Sequence, residues 1–299
     1  MKKLLFVFNP HAGKGQISGC LVEILNEMVK GAYEITIHPT QAKDEARWLV
    51  EKQAKNFDLI VCSGGDGTLD EVVSGLIKSG VDIPIGYIPA GSTNDYANSL
   101  GLPSDMVEAA KVAVMGKPKK YDVGFFGDKS FVYVAAFGIF TDVAYETDQE
   151  LKNILGHAAY ILEGAKRLGD IQSFNMKVTN KDEVMEGEFI LGMITNSTSV
   201  GGFKGMTGED VKLDDGKFEV TLIKKPQNVM ELNLILASIA KLVDDTDMVY
   251  TFKTDGLTVE CEDEKSAPWT LDGEYGGNPK KVDITAKKKA VRIMMPSVK

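Results

Sequence analysis

Apolar residues along this chain fall into short blocks whose spacing switches between continuous runs and a repeat of about 3.6. KKLLFVF is a near-continuous apolar run stopped by Asn9-Pro10, which reads as a buried strand. QISGCLVEILNEMVKG then repeats Leu21, Ile24, Leu25 and Met28 at helical spacing before Gly31. YEITIHPT alternates like a strand, DEARWLVEKQAK reads as a helix, FDLIVCSG as a buried strand, TLDEVVSGLIKSG as a helix and IPIGYIPAG as a fourth strand. Strands alternating with helices predict a parallel sheet covered on both faces.

Beyond about residue 121 the texture changes. FVYVAAFGIF, FNMKVTN, EFILGMITNS, KFEVTLIKK, LTVECED and VRIMMP are short strand patterns separated by Gly, Asn and Asp turns, which predicts a mostly antiparallel second half. Two stretches, 151–168 and 228–243, carry an apolar stripe at the helical period. The division is therefore an α/β domain over residues 1–122 and a β-rich domain over residues 123–299, with the final strand free to return to the first domain.

Composition adds limits rather than detail. With 299 residues, 43% of them hydrophobic, the chain can bury two cores. No run approaches the roughly 20 apolar residues of a membrane span, and MKKLLFVFNP is too short in its apolar part for a secretory signal, so the expected location is cytoplasmic. Cys20, Cys62 and Cys261 have no metal-binding or disulfide spacing and read as reduced thiols. A net charge of −9 argues against a nucleic-acid partner. Lysines cluster only at KPKK (117–120) and KKK (287–289), both of which read as solvated turns.

The chemistry concentrates where a strand meets a helix, at Gly64-Gly65-Asp66-Gly67-Thr68. Glycines let a backbone approach phosphate, and a helix start offers N–H groups to an anion. A carboxylate in such a loop needs a cation between itself and the phosphate, so Asp66 points to Mg²⁺; the plain alternative is a capped strand-to-helix turn. A Walker A loop fails, because Phe8 stands where the first glycine would be relative to Gly13-Lys14. A dinucleotide fingerprint at GKGQIS fails at Ser18.

SGGDGTLDEVVSGL followed by IPIGYIPAGSTNDYANSLGLP resembles the catalytic domain of diacylglycerol kinases, in particular the soluble bacterial lipid kinases related to sphingosine kinases. GGDGT also occurs in NAD kinases and phosphofructokinases; PAGSTNDYA is what separates the lipid kinases from them. The resemblance implies an N-terminal three-layer α/β nucleotide-binding domain of the NAD kinase and phosphofructokinase kind, and a C-terminal antiparallel β-sandwich. It further implies ATP and Mg²⁺ as cofactors and a lipid alcohol at the membrane surface as substrate, most directly diacylglycerol.

Residue by residue, the resemblance places the nucleotide at Asn9, Pro10, His11, Ala12, Gly13 and Lys14, at Thr40, at Gly65, Asp66, Gly67, Thr68 and Glu71, and at Thr93 and Asn94. Ala12 replaces the family's usual serine. Asp66 and Asp95 hold the catalytic metal, Glu274 of Leu271-Asp272-Gly273-Glu274 is the base, and Asp272 lies beside the metal. A structural metal falls to Asp215 with the carbonyls of Lys212 and Lys217, although Asp214-Asp215-Gly216 alone reads as a hairpin turn. Such a protein works peripherally at a bilayer, and its negative charge requires local lysines to offset repulsion. Two other readings stay open, an NAD kinase-like enzyme on a soluble substrate and a non-catalytic lipid- or nucleotide-binding regulator; a homodimer is among the oligomeric options.

Overall fold

A computed structural model describes residues 1–13, 15–139, 171–200, 210–239 and 246–297. The chain divides into two compact units, Met1–Val123 with Lys288–Lys299, and Gly124–Lys287.

In the first unit, β1 (Lys2–Phe8), β2 (Tyr33–Pro39), β3 (Leu59–Gly64) and β4 (Ile85–Pro89) alternate with α1 (Ile17–Lys30), α2 (Glu45–Gln53) and α3 (Asp66–Ser79). The strands pair parallel in the order β2–β1–β3–β4. Every residue of β3 and β4 is buried, because helices cover a parallel sheet on both faces. Leu4, Phe6, Leu59 and Val61 meet Ile24 and Met28 of α1 in one apolar cluster. Ala109 and Ala113 join it from α5 (Met106–Met115). Two helices went unread in the apolar pattern. The first, α4 (Asp95–Leu100), is a single short turn and a half, whereas α5 carries a legible signal: Asp105 accepts N–H bonds from Val107 at 3.0 Å and Glu108 at 2.9 Å, an N-cap that starts the helix.

Two strands continue from one unit into the other, β5 (Lys117–Phe126) and β15 (Lys281–Met295). Within the first unit Ile293 of β15 pairs parallel with Ile85 of β4, and Arg292 pairs with Asp82 at 2.8 Å. The two lysine runs therefore belong to paired strands and not to turns.

In the second unit, β6 (Lys129–Phe131), β7 (Val134–Gly138), β8 (Phe174–Thr179), β9 (Val184–Thr195), β10 (Phe218–Lys224), β11 (Val249–Thr254), β12 (Gly256–Cys261), β13 (Trp269–Leu271) and β14 (Glu274–Gly277) pair antiparallel. The first half of β9 pairs with β8 and its second half with β7 and β10, so one strand organises three others. Aromatic rings fill the core, with Phe137 and Trp269 centred 4.9 Å apart and Phe131 and Phe218 5.4 Å apart. Of the two expected helices, residues 151–168 lie outside the described residues, and the other is α6 (Val229–Ile239). Asp214-Asp215-Gly216 turns into β10, but β9 and β10 are joined by a long connection, so the turn is not a tight hairpin. All three cysteines are free, and burial pushes the Cys62 thiol well above its ordinary range.

The costliest side chain in the second core is Glu219 on β10, 2% exposed. Its Oε1 lies 3.2 Å from Lys253 Nζ on β11, and among the described residues Oε2 has no hydrogen-bond partner. Burial raises the Glu219 carboxyl above its ordinary value, with Lys253 opposing. An acid with a raised folded value stabilises the protein below its unfolded value and loses that contribution as pH rises. Lys253→Met should therefore cost about 3 kcal/mol at neutral pH, the cost of leaving a buried charge unpaired, and the loss should shrink as pH falls toward about 4.5. Urea denaturation of both proteins across that range is the measurement; a pH-independent difference would show that Lys253 acts by packing alone.

Candidate active site

The carboxyl ends of the four parallel strands carry the predicted nucleotide residues side by side. Each loop is fastened to its neighbour by the first N–H after its strand: Thr40 donates to Phe8 O at 2.9 Å, Asn9 to Ser63 O at 2.9 Å and Ala90 to Gly64 O at 2.8 Å. In the first loop the Asn9 side chain accepts the His11 N–H at 2.9 Å, Ala12 is buried and Gly13 has φ +53°. Lys14 lies outside the described residues. A Cβ on Gly13 would sit 2.3 Å from Ala90 O, and one on Gly91 would sit 2.6 Å from Gly65 Cα. Backbone presses directly on backbone here, so these glycines are required by the contact between loops before any ligand is considered.

Asp66, the first residue of α3, is 7% exposed and spans two of these loops. Its Oδ2 accepts the Asp95 N–H at 3.1 Å and its Oδ1 accepts the Tyr96 N–H at 3.2 Å. The carboxylate thus caps α4, and it brings Asp66 and the 1% exposed Asp95 to one place. Asn94 reaches the start of α4 with φ +52° and holds Gly91 twice, Oδ1 accepting its N–H and Nδ2 donating to its carbonyl, both at 2.8 Å. Thr93 O accepts from Asn98 Nδ2 at 3.0 Å. Gly67 and Thr68 are partly exposed in the first turn of α3.

Glu71, one turn further along α3, faces elsewhere. Its two oxygens accept the Asp44 and Ala46 N–H groups at 2.9 and 3.1 Å, holding the start of α2, and burial raises its carboxyl above the ordinary value against those two bonds. The loop that carries Thr40 is held in turn by Glu45, whose carboxylate accepts from Gln41 N at 2.6 Å and lies 2.7 Å from His38 Nε2. The Gln41 bond first, then His38, keeps the Glu45 carboxyl below its usual value. Neither His38 nor Glu45 was singled out from sequence; the signal was the helix start at DEAR with a glutamate inside it.

Within the second unit, Asp272 and Gly273 form the two-residue turn between β13 and β14, with φ +50° and +84°. Two positive φ values make this the hairpin geometry favoured by Asp-Gly. The Asp272 carboxylate is 4% exposed and accepts three N–H groups, from Val132 at 2.5 Å, Tyr133 at 3.0 Å and Val134 at 2.9 Å. Glu274 begins β14 with its side chain exposed, and its carbonyl accepts the Thr270 hydroxyl at 3.2 Å. Asp215 is half-buried and its Oδ1 accepts the Lys217 N–H at 2.9 Å; Lys212 and Lys217 are exposed.

Among the described residues no three His, Cys, Asp or Glu side chains gather as a ready-made metal cage. Mg²⁺ does not need one, since it is held by one or two carboxylates and keeps waters and phosphate oxygens as its other ligands. Two neighbouring buried carboxylates are the oxygen donor set it takes, so Asp66 and Asp95 fit this ion.

Residues 3–126 match the family described as diacylglycerol kinase catalytic domain. The diacylglycerol kinase of Bacillus subtilis is 32% identical over 281 residues, covering 93% of this chain and 91% of that protein. That of Staphylococcus carnosus is 32% identical over 280 residues, covering 92% and 90%. This chain belongs to the diacylglycerol kinase family. Membership makes it a lipid kinase and implies ATP as phosphate donor. Among solved structures, a diacylglycerol kinase from Bacillus anthracis shares its fold with a TM-score of 0.76 at 24% identity, over 98% of this chain and 97% of that one.

The two leading motifs follow the paired strands β3 and β4, and the Asp66 carboxylate ties the second of them down at the start of α4. Asp66→Ala should lower stability by about 1–2 kcal/mol, the cost of a lost helix cap, and should speed amide exchange at Asp95 and Tyr96 more than elsewhere in the first unit. Hydrogen exchange with mass spectrometry reads this directly. Unchanged protection of residues 95–100 would show that α4 holds its place without the Asp66 cap.

Proposed function

We propose that this chain transfers the γ-phosphate of ATP to the free hydroxyl of diacylglycerol, giving phosphatidic acid. The observation that carries the proposal is the Asp66 cap on α4, which sets two buried carboxylates beside the N–H-lined loops after β1, β3 and β4. Phosphoryl transfer asks a protein chiefly for positioning and charge stabilisation. The loop from Asn9 to Lys14, Thr40, Gly65 to Thr68 and Thr93 cradle the nucleotide, with Asn94 fixing the loop that bears Asp95. Asp66 and Asp95 would hold Mg²⁺, which would supply neutralisation of the phosphate charge. Glu71 supports this region indirectly, through the start of α2. Glu274 takes the proton of the attacking hydroxyl, and Asp272 positions it by fixing the turn on which it sits.

A second cation site at Asp215, completed by the carbonyls of Lys212 and Lys217, is structural in this reading. The Lys217 N–H occupies only Oδ1 of that carboxylate, leaving Oδ2 for the ion. Mg²⁺ should then raise the melting temperature of the wild type more than that of Asp215→Ala. Equal stabilisation of the two proteins would remove the site.

Transfer of labelled phosphate from γ-labelled ATP to a panel of diacylglycerol, ceramide, a sphingoid base and NAD tests the substrate. Diacylglycerol should be preferred, and preference for any other acceptor would overturn the assignment. Glu274→Gln should slow single-turnover transfer by about 10²-fold or more with ATP affinity nearly unchanged, because amide and carboxylate fill similar space and only the carboxylate accepts a proton. A large loss of ATP affinity instead would make Glu274 a nucleotide or metal ligand.

A further inference from the structure

Residues 40–44 join β2 to α2 and belong to neither element. Every backbone N–H bonds to protein or to water, and the partners that these groups have taken define the path of the loop. Thr40 is pinned to β1, its N–H donating to Phe8 O at 2.9 Å and its hydroxyl to the same oxygen at 3.3 Å. The next two N–H groups, of Gln41 and Ala42, both donate to Oε2 of Glu45, at 2.6 and 3.1 Å. The Asp44 N–H donates to Glu71 on α3 at 2.9 Å. The sheet therefore holds one end of the loop and Glu71 the other, and Glu45 holds the part immediately after Thr40.

Glu45 is placed to do this. As the first residue of α2 it reaches back to N–H groups three and four positions earlier, the same backward reach by which a glutamate in the first turn closes a capping box. Its other oxygen, Oε1, lies 2.7 Å from Nε2 of His38, the next-to-last residue of β2. One oxygen thus faces the strand and the other faces the loop. Hydrogen bonds to a charged carboxylate are roughly twice as strong as neutral ones, and these hold a loop that ends at Asp44 with a left-handed φ of +64°.

We infer that Glu45, braced by His38, is a positioning residue for the nucleotide: it sets the path of the chain just after Thr40 and through it the affinity for ATP. The inference rests on the reading that this loop lines the ATP site. Neither side chain contacts the transferred phosphate in this role, so their loss acts on ATP binding and spares the chemical step. Acceptance of N–H groups can also be separated from charge. In Glu45→Gln the amide oxygen can accept both loop N–H groups while the amide nitrogen donates to a neutral His38 ring, whereas Glu45→Ala takes the acceptor away altogether.

The test titrates the full chain with a non-hydrolysable ATP analogue, measures KM for ATP and kcat with diacylglycerol, and follows amide exchange over residues 40–46. Glu45→Ala should weaken analogue binding and raise KM for ATP about 10-fold, equivalent to about 1.4 kcal/mol, with kcat at saturating ATP within about twofold of wild type. Exchange at Gln41 and Ala42 should quicken in step. His38→Ala should shift affinity the same way by about 3-fold, and it keeps the test readable should Glu45→Ala not fold. Glu45→Gln should restore most of the affinity. Glu51→Ala, which removes another acid of α2, one that pairs with Lys52 at 3.1 Å, should leave affinity unchanged. Faster exchange in Glu45→Ala with unchanged ATP affinity, a fall in kcat with unchanged KM, or an equal loss in Glu51→Ala would each overturn the inference. Analogue binding needs no lipid, so the two readings fail separately. Weakened binding by Glu45→Ala of a protein that never phosphorylates diacylglycerol upholds the positioning role while overturning the proposed substrate, and unchanged binding in a protein that does phosphorylate it overturns the positioning role alone.

Discussion

The first unit depends on the carboxylate of Asp66 accepting the two leading N–H groups of α4. Four parallel strands place four loops at one edge, but parallel pairing alone says nothing about the path of a loop beyond its first residue. Gly91, Ser92, Thr93 and Asn94 have no strand or helix of their own, and α4 is too short to hold its place by propensity. A charge-accepting cap from the start of α3 settles both. It ties two motifs nearly 30 residues apart into one corner, with Asn94 clamping Gly91, the first residue of the loop.

The same device recurs at three other acids. Glu71 closes on the start of α2, Glu45 on the loop that carries Thr40, and Asp272 on the backbone from Val132 to Val134. In each case a carboxylate buried or half-buried in protein gains N–H partners that a helix start or a strand end would otherwise leave unsatisfied. Substitutions at these positions will mix lost stability with lost chemistry. Activity alone cannot assign their roles, and a structural readout such as amide exchange has to accompany it.

Much of this was legible in the sequence. The four parallel strands and α1 to α3 follow from apolar runs and spacing, and the joint at Gly64 to Thr68 lies between β3 and α3 as the pattern implies. What escaped was long-range. Nothing near Lys117 or Lys288 in the chain shows that the two runs share a pair of strands, because antiparallel pairing across the whole second unit is a tertiary fact. The commitment of Glu71 to Asp44 and Ala46 is equally hidden, since a glutamate in a helix reads as solvent-facing until a neighbouring helix start is placed against it. The glycines have a cause the sequence did not show: at Gly13 and Gly91 the loops themselves occupy the space a side chain would need.

The two acids of Asp272-Gly273-Glu274 divide their labour by hydrogen-bond capacity. A carboxylate that accepts three backbone N–H groups has most of its roughly four acceptor sites taken by donors that favour the charged form. Asp272 is therefore unsuited to receive a proton during a reaction and well suited to hold a turn whose two positive φ values need fixing. Glu274, two residues on, has its side chain exposed at the start of β14. A tight Asp-Gly turn thus separates two acids two residues apart. It anchors the Asp272 carboxylate in the backbone network and leaves the Glu274 side chain exposed.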